Sequence, residues 1–436
     1  PNYLAIALPG LPWITLVRLF AFPATAVLLV CISISGSFRK SLSSAYKNIP
    51  ILPISLLVFV CIQGLSIVTS KEKADSLQKF FIDQIYWSIM YVISTYVFLK
   101  PGRAEKWAAL LWATIAPISL IAFRENQLRH VIWAGHIPGF LKIEDKNIQM
   151  VLAGIYRSYT NIYRVQATAS TSLGLSEYLA ILLPFVIHFA VGPYSRRTKG
   201  LAVFSIPVIL YVILISGSRL GVLGFGLSAL IYPLIWAILK WKRERGGLLA
   251  PAIVLAYPAV FGAAIAASLV IGRIRKAVWG GGASQSSTDS RMIQIKMGIP
   301  KILHNPFGYG VGQGADTLGY YTPGGMLTID TYYLLIALEY GVIGFIVYYG
   351  MIGLYIYYSG RYSLFERPKE RELTLTIPAF ISLVNFFIIK SAFSQADNHP
   401  LIFMIMGMVV ALCYRIRLER EGAAPSARRV DRGQRA

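Results

Sequence analysis

The sequence predicts an all-α, polytopic integral membrane protein, and three observations carry that reading. Of the 436 residues, 56% are apolar and only 14% charged, whereas a soluble domain carries about 25% charged and about 45–50% apolar residues. The mean hydropathy is +0.58. Eleven apolar runs approach the roughly 20 residues needed to cross a hydrocarbon core of about 30 Å. They lie near 11–35, 50–69, 84–100, 106–123, 173–192, 200–217, 220–239, 249–272, 331–358, 374–393 and 400–414. The formal charge of +22 falls in short gaps between these runs rather than in a basic domain. That placement argues against nucleic acid and for topology and anionic lipid.

Taken in order, alternate gaps hold the basic clusters Arg39-Lys40, Lys100 to Lys106, Arg196 to Lys199, Lys240 to Arg245 and Arg361 to Arg371. The positive-inside rule assigns these gaps to the cytoplasm, together with the tail. Residues 1–414 are therefore the membrane domain, and 415–436 a basic, disordered cytoplasmic tail lacking the apolar residues for a core. An odd number of crossings leaves the first residue outside, so a twelfth helix is expected before Pro1. Segment 70–83, with both charge signs and Phe80-Phe81 ahead of a run, reads as an interfacial helix. Cys31, Cys61 and Cys413 lie inside apolar runs and act as small hydrophobes, with no disulfide expected.

The two long gaps on the opposite side, 124–171 and 273–330, carry polar residues with no topological reason to exist. The second leaves the membrane with Arg273, Arg275 and Lys276, passes Gly280 to Ser287 and returns through a more ordered pattern. The histidines His130, His136, His188, His304 and His399 are scattered, and no acidic cluster accompanies them, so no metal and no cofactor is expected. Asp397-Asn398-His399 reads as a polar helix connection. Gly308 to Gly314 is glycine-rich but lacks the Lys-Ser/Thr of a phosphate loop and a preceding strand.

What remains is a set of ionisable residues at the ends of runs. Arg219, in Ser218-Arg219-Leu220-Gly221, lies between two runs with almost no loop, where an arginine either serves function or snorkels to the interface. Asp330 precedes Thr331-Tyr332-Tyr333, where it is a candidate helix cap. Glu339 follows nine residues later. On one straight helix the two would stand about 13 Å apart along the axis, too far and too differently aimed for a carboxylate dyad. Glu339 reads as structural support, a buried hydrogen-bonding group between helices.

This spacing resembles the O-antigen ligase and O-antigen polymerase superfamily. Asp330-Thr331, Leu334, Glu339, Gly341 and Gly344 are similar to its helix motif. Ser218-Arg219 with Gly221, Arg291 followed by Pro306 to Gly312, and Arg164 through Glu177-Tyr178-Leu179-Ala180 resemble three further pieces in the same order. The ligases carry a histidine where Asp330 stands, so the departure favours the polymerase branch.

The resemblance implies a GT-C-like glycosyltransferase architecture with extracytoplasmic loop helices in a bacterial inner membrane. It implies metal-independent glycosyl transfer at the periplasmic face, with undecaprenyl-pyrophosphate-linked glycan as donor and acceptor. Arg219 and Arg291 would neutralise the departing pyrophosphate, for which planar guanidinium is suited, and Asp330 would be the general base. Arg164, Arg273, Arg275 and Lys296 are the auxiliary pyrophosphate or glycan contacts. Tyr320, Tyr321 and Trp279 could offer sugar-stacking surface. Expected partners are membrane lipid and the chain-length regulator and flippase of the same pathway. A ligase acting on lipid A core or protein is the alternative within the family. A transporter of lipid-linked sugars is the alternative outside it, disfavoured by the lack of an internal repeat.

Overall fold

The computed structural model describes residues 4–6, 14–143, 146–156, 162–244, 246–272, 275, 285–322, 325, 327–366, 368–391 and 395–422. The chain is a helical bundle. In order the helices are α1 Leu16–Ile34, α2 Gly36–Asn48, α3 Ile51–Ser66, α4 Lys73–Gln84, α5 Met90–Phe98, α6 Arg103–Ala113, α7 Ile115–Leu128, α8 Lys146–Leu152 and α9 Ser172–Val191. Then follow α10 Arg196–Ile215, α11 Arg219–Arg243, α12 Leu249–Val270, α13 Gln285–His304, α14 Gly314–Leu318, α15 Tyr332–Phe365, α16 Thr376–Ile389 and α17 His399–Arg420. Two short antiparallel pairs join them, β1 Ala5–Ile6 with β2 Ile14–Thr15 and β3 Ile155–Tyr156 with β4 Tyr163–Arg164.

Among the described residues nine helices are long and apolar enough to cross a membrane, and α2 with α3, bent by 101°, makes a tenth candidate. The multi-pass membrane fold is thus as the sequence predicts. Two details differ. The basic gap after the first run is itself a helix, α2, which buries Phe38, Leu42 and Ala45. The run at 84–100 is a π-helical turn, Ile85–Ile89, leading into α5, and α4 feeds directly into it.

The largest departure is in α15. Its backbone leaves helical geometry at Gly341, with φ 70° and ψ −176°. Tyr332 and Tyr348 have ring centroids 5.8 Å apart, and Tyr333 and Tyr349 only 4.4 Å. Residues sixteen apart on a straight helix would be separated by about 24 Å. The chain therefore folds sharply back, and the run expected as one span from 331 to 358 is a short arm, 332–340, followed by the spanning part after Gly341.

Loop 306–312 wedges against this fold. Tyr309 and Gly310 donate their N–H groups to the Leu338 and Glu339 carbonyls at 2.9 and 3.1 Å. These are carbonyls that the broken helix leaves without intrahelical partners. A Cβ on Gly308 would stand 2.3 Å from the Glu339 carbonyl oxygen, and one on Gly341 1.8 Å from that of Pro306. Both glycines also have positive φ, so side chains are excluded twice over.

At one end of the bundle, buried Glu372 accepts from the Gly102 and Ala104 N–H groups at 2.7 Å each and pairs with Arg415 at 2.7 Å. At the other end gather the starts of α9, α11 and α17, the end of α16 and the short arm of α15. This second end carries the candidate site.

Candidate active site

Helix α13 lies beside the short arm of α15. Gly298 packs against Leu334, where an added Cβ would meet Leu334 Cδ1 at 2.6 Å. Met297 and Ile302 join Leu334 and Leu338 in one apolar cluster. One turn before Gly298, the buried Gln294 accepts the Asp330 backbone N–H at 2.8 Å. This bond fixes Asp330 just ahead of the arm. Thr331, not Asp330, is the helix cap: its hydroxyl accepts from the Leu334 N–H at 3.3 Å. The Asp330 carboxyl is therefore left for other use.

That carboxyl is half-buried, and burial pushes its pKa above the ordinary aspartate value while the Arg291 guanidinium, Gln294 and Thr328 pull it back. Reciprocally, burial draws the Arg291 pKa below its ordinary value and Asp330 opposes the shift. The two predicted catalytic residues thus lie within electrostatic reach of one another, without forming an ion pair. Arg291 Nε is buried and has no hydrogen-bond partner among the described residues, an arrangement costing about 1–3 kcal/mol unless a ligand oxygen satisfies it.

The second group centres on α11. Ser218 caps it, accepting from the Gly221 N–H at 3.1 Å, and Arg219 is its first residue. Arg164, at the end of β4, donates from Nε to the Ser216 carbonyl at 3.0 Å. An added Cβ on Gly217 would stand 3.3 Å from the same Nε. Arg164 is thereby moored to the turn that presents Arg219.

Glu125, at the end of α7, holds the other side of that loop. Its buried carboxylate accepts from the Gln166 N–H at 3.0 Å, the Ala167 N–H at 2.7 Å and the Tyr163 hydroxyl at 2.7 Å. Ala167 has φ 47°, a strained conformation for alanine, and Glu125 supplies the bonds that hold it.

A fully buried ion pair joins the helices between the two groups. Lys390, at the end of α16, meets Glu177 of α9 at 2.8 Å, both side chains being 0% exposed. Asn398 donates to Glu177 at 2.9 Å, and Lys390 also donates to the Gln395 carbonyl. The Lys390 ammonium lies 5.1 Å from the centre of the Tyr332 ring, so the pair braces the first turn of the short arm.

The remaining expected contacts scatter. Arg273 and Trp279 lie outside the described residues. Arg275 and Lys296 are exposed, Lys296 on α13. Tyr320 packs into the Leu318 and Leu334 cluster, whereas Tyr321 is exposed. Glu339 is buried at the end of the short arm, beside the Lys79–Asp83 pair of α4, its Oε1 3.3 Å from where a Cβ on Gly314 would lie. His399 is buried between the Tyr348 hydroxyl at 3.1 Å and the Ala396 carbonyl at 2.9 Å. Among the described residues no group of three His, Cys, Asp or Glu is placed to hold a metal.

Residues 202–349 match the family model described as O-antigen ligase. The match covers about a third of the chain. The matched stretch takes in Arg219, Arg291, Asp330, Glu339 and the fold at Gly341, and it leaves Arg164 and Glu125 to the flanking sequence. No curated protein matches the chain.

Sequence reasoning passed over Glu125 and Lys390. Both are ionisable groups in or beside apolar runs, a rare placement that marks a candidate by itself, and that signal was available for each.

Proposed function

We propose that the protein polymerises lipid-linked oligosaccharide repeat units at the extracytoplasmic face of a bacterial inner membrane. The donor is a glycan on undecaprenyl pyrophosphate, and the acceptor is a sugar hydroxyl of the next unit. The placement of Arg291 within electrostatic reach of Asp330, which Gln294 of the same helix fixes through its backbone N–H, carries this reading. A carboxylate whose pKa is raised by burial approaches the range where a base both stays ionised and accepts a proton readily. The arginine beside it keeps a guanidinium, with an unsatisfied buried N–H, where an anionic leaving group would be received.

In this reading Asp330 takes the proton from the acceptor hydroxyl as its oxygen bonds to the anomeric carbon. The bond to the pyrophosphate oxygen breaks, and the developing charge is met by Arg291 and Arg219, with Arg164 as a further phosphate contact. A second reading, transfer of a finished glycan to a lipid or protein acceptor, is favoured by the description of the matched family. The aspartate at position 330 favours polymerisation.

The test is incubation of the purified protein, in nanodiscs with EDTA, with a radiolabelled undecaprenyl-pyrophosphate oligosaccharide. A ladder of products that disappears in Arg291→Ala and Asp330→Asn is the expected result. One shifted band on an added acceptor would indicate a ligase. An intact donor under every condition would overturn the enzyme reading.

A further inference from the structure

A cavity of about 630 Å³ opens where α4 begins and is closed on the other side by α13, α14 and the loop between them. Lys71, Glu72 and Asp75 line one wall, and Lys301, Tyr309, Gln313 and Asp316 the other. Its volume falls in the range of about 300–1,000 Å³ typical of small-molecule sites.

The lining is unlike that of the arginine groups. It offers three carboxylates against two ammonium groups, and Lys301 is already engaged, donating to the Thr317 and Leu318 carbonyls at 2.6 and 3.0 Å. None of the ion pairs among the described residues uses Glu72, Asp75 or Asp316. In a chain of charge +22 this hollow carries one more carboxylate than ammonium group, which suits it less to pyrophosphate than the arginine groups and makes it rich in acceptors for hydroxyl donors. Gln313 adds an amide that both donates and accepts, and Tyr309 adds a ring, fixed by its hydroxyl bond to the Lys301 carbonyl at 2.9 Å.

The wall is also rigid and tied to the candidate site. Tyr309 belongs to the loop wedged against the fold at Gly341, and Lys301 lies ten residues beyond Arg291 on α13, about 15 Å along the helix. One helix therefore carries both the leaving-group arginine and the far wall of the hollow.

We infer that this cavity is a saccharide subsite, binding uncharged or amino-bearing sugars of the acceptor glycan remote from the reacting hydroxyl. The inference rests on the reading of the preceding subsection for the acceptor role. Carboxylates and amide would bond the sugar hydroxyls and the Tyr309 ring would cover a sugar face. Binding energy from such remote sugars serves to hold the reacting hydroxyl in place.

The experiment places a benzophenone side chain at Thr317, in the cavity wall, or at the exposed Tyr357 as control, in the full chain within cells making the polymer. After irradiation, periodate and hydrazide labelling reads sugar on the purified protein. Sugar captured at position 317, at least fivefold above position 357 and reduced at least fivefold by Asp75→Ala with Asp316→Ala, is expected. In the purified reaction that double variant should raise the acceptor KM at least fivefold more than it lowers kcat. Polymer production without sugar on position 317, or an acceptor KM unmoved by the double variant, overturns the subsite. If the wild type makes no product while sugar is still captured at 317, the proposed reaction fails and the cavity's ligand class stands.

Discussion

Gly341 and Pro306 meet backbone to backbone, so closely that a Cβ on the glycine would lie 1.8 Å from the proline carbonyl oxygen. This contact lets a helix of membrane-spanning length turn back on itself beside the site. Gly341→Ala combines that clash with a φ of 70°, a strain costing of order 1–3 kcal/mol before the clash is counted. A fall of several degrees in the thermal midpoint in detergent is expected. Gly350→Ala, where an added Cβ meets nothing within 4 Å, should leave the midpoint unchanged or raise it. Equal midpoints for the two variants would remove the fold at Gly341 as a constraint.

The Asp330 pKa is raised by burial and lowered by Arg291, and the signs give a pH profile. If Asp330 acts as a base, kcat/KM rises with pH as it loses its proton, with a midpoint above the ordinary aspartate value of about 3.9. In Arg291→Lys the acid limb should move to higher pH, because a compact ammonium on a flexible stem neutralises the carboxylate less well. A limb that stays put or moves down would contradict the coupling.

Because the folded-state pKa of Asp330 is raised, the protonated form favours the fold, and that contribution is lost as pH climbs through the raised value. Asp330→Asn removes the charge, so its thermal midpoint at pH 8 should equal or exceed that of the wild type. Turnover should fall about 10²–10⁴-fold, the usual contribution of a general base. A variant that unfolds instead would make Asp330 structural.

Glu125→Gln keeps the side-chain size but replaces an acceptor oxygen with a donor amide facing the Gln166 and Ala167 N–H groups. Leaving one such donor unsatisfied costs about 1–3 kcal/mol. If the Glu125 anchor orients Arg164, the donor KM should rise about tenfold while acceptor KM moves little. Steady-state kinetics with each substrate varied in turn distinguishes this from general loosening, which would raise both.

Lys390→Met strands the Glu177 carboxylate in a fully buried place, a change that costs about 3–5 kcal/mol in comparable pairs. Adding Glu177→Leu should recover most of the lost thermal midpoint, since a buried pair is often replaceable by apolar side chains. Failure of the double variant to recover would show that Asn398 and Gln395, which also contact the pair, are what the charges hold.

The helices were legible because their apolar runs are long and separated by basic clusters, as at Arg196 to Lys199 between α9 and α10. Arg219 and Asp330 stood out as ionisable groups at run ends with no topological task, whereas Arg291, inside the long gap, was singled out only by the family resemblance of its loop. The fold at Gly341 was not legible: Tyr332 to Phe365 is apolar almost throughout, and a lone glycine within such a run is compatible with a straight helix. What bends it is the loop from Pro306 to Gly312, and hydropathy carries no trace of a contact between segments thirty residues apart. Glu125 escaped for a similar reason, its three donors lying some forty residues downstream.

The turn at Gly341 has an electrostatic effect as well. It carries the first residues of the arm, Tyr332 and Tyr333, into the bundle beside Tyr348 and Tyr349, so the amino-terminal pole of a half-length helix ends among protein side chains instead of bulk water. The partial positive charge of that pole acts on whatever negative charge gathers at Asp330, and low surrounding polarity strengthens it. A fixed backbone field thus adds to that of the arginine side chains.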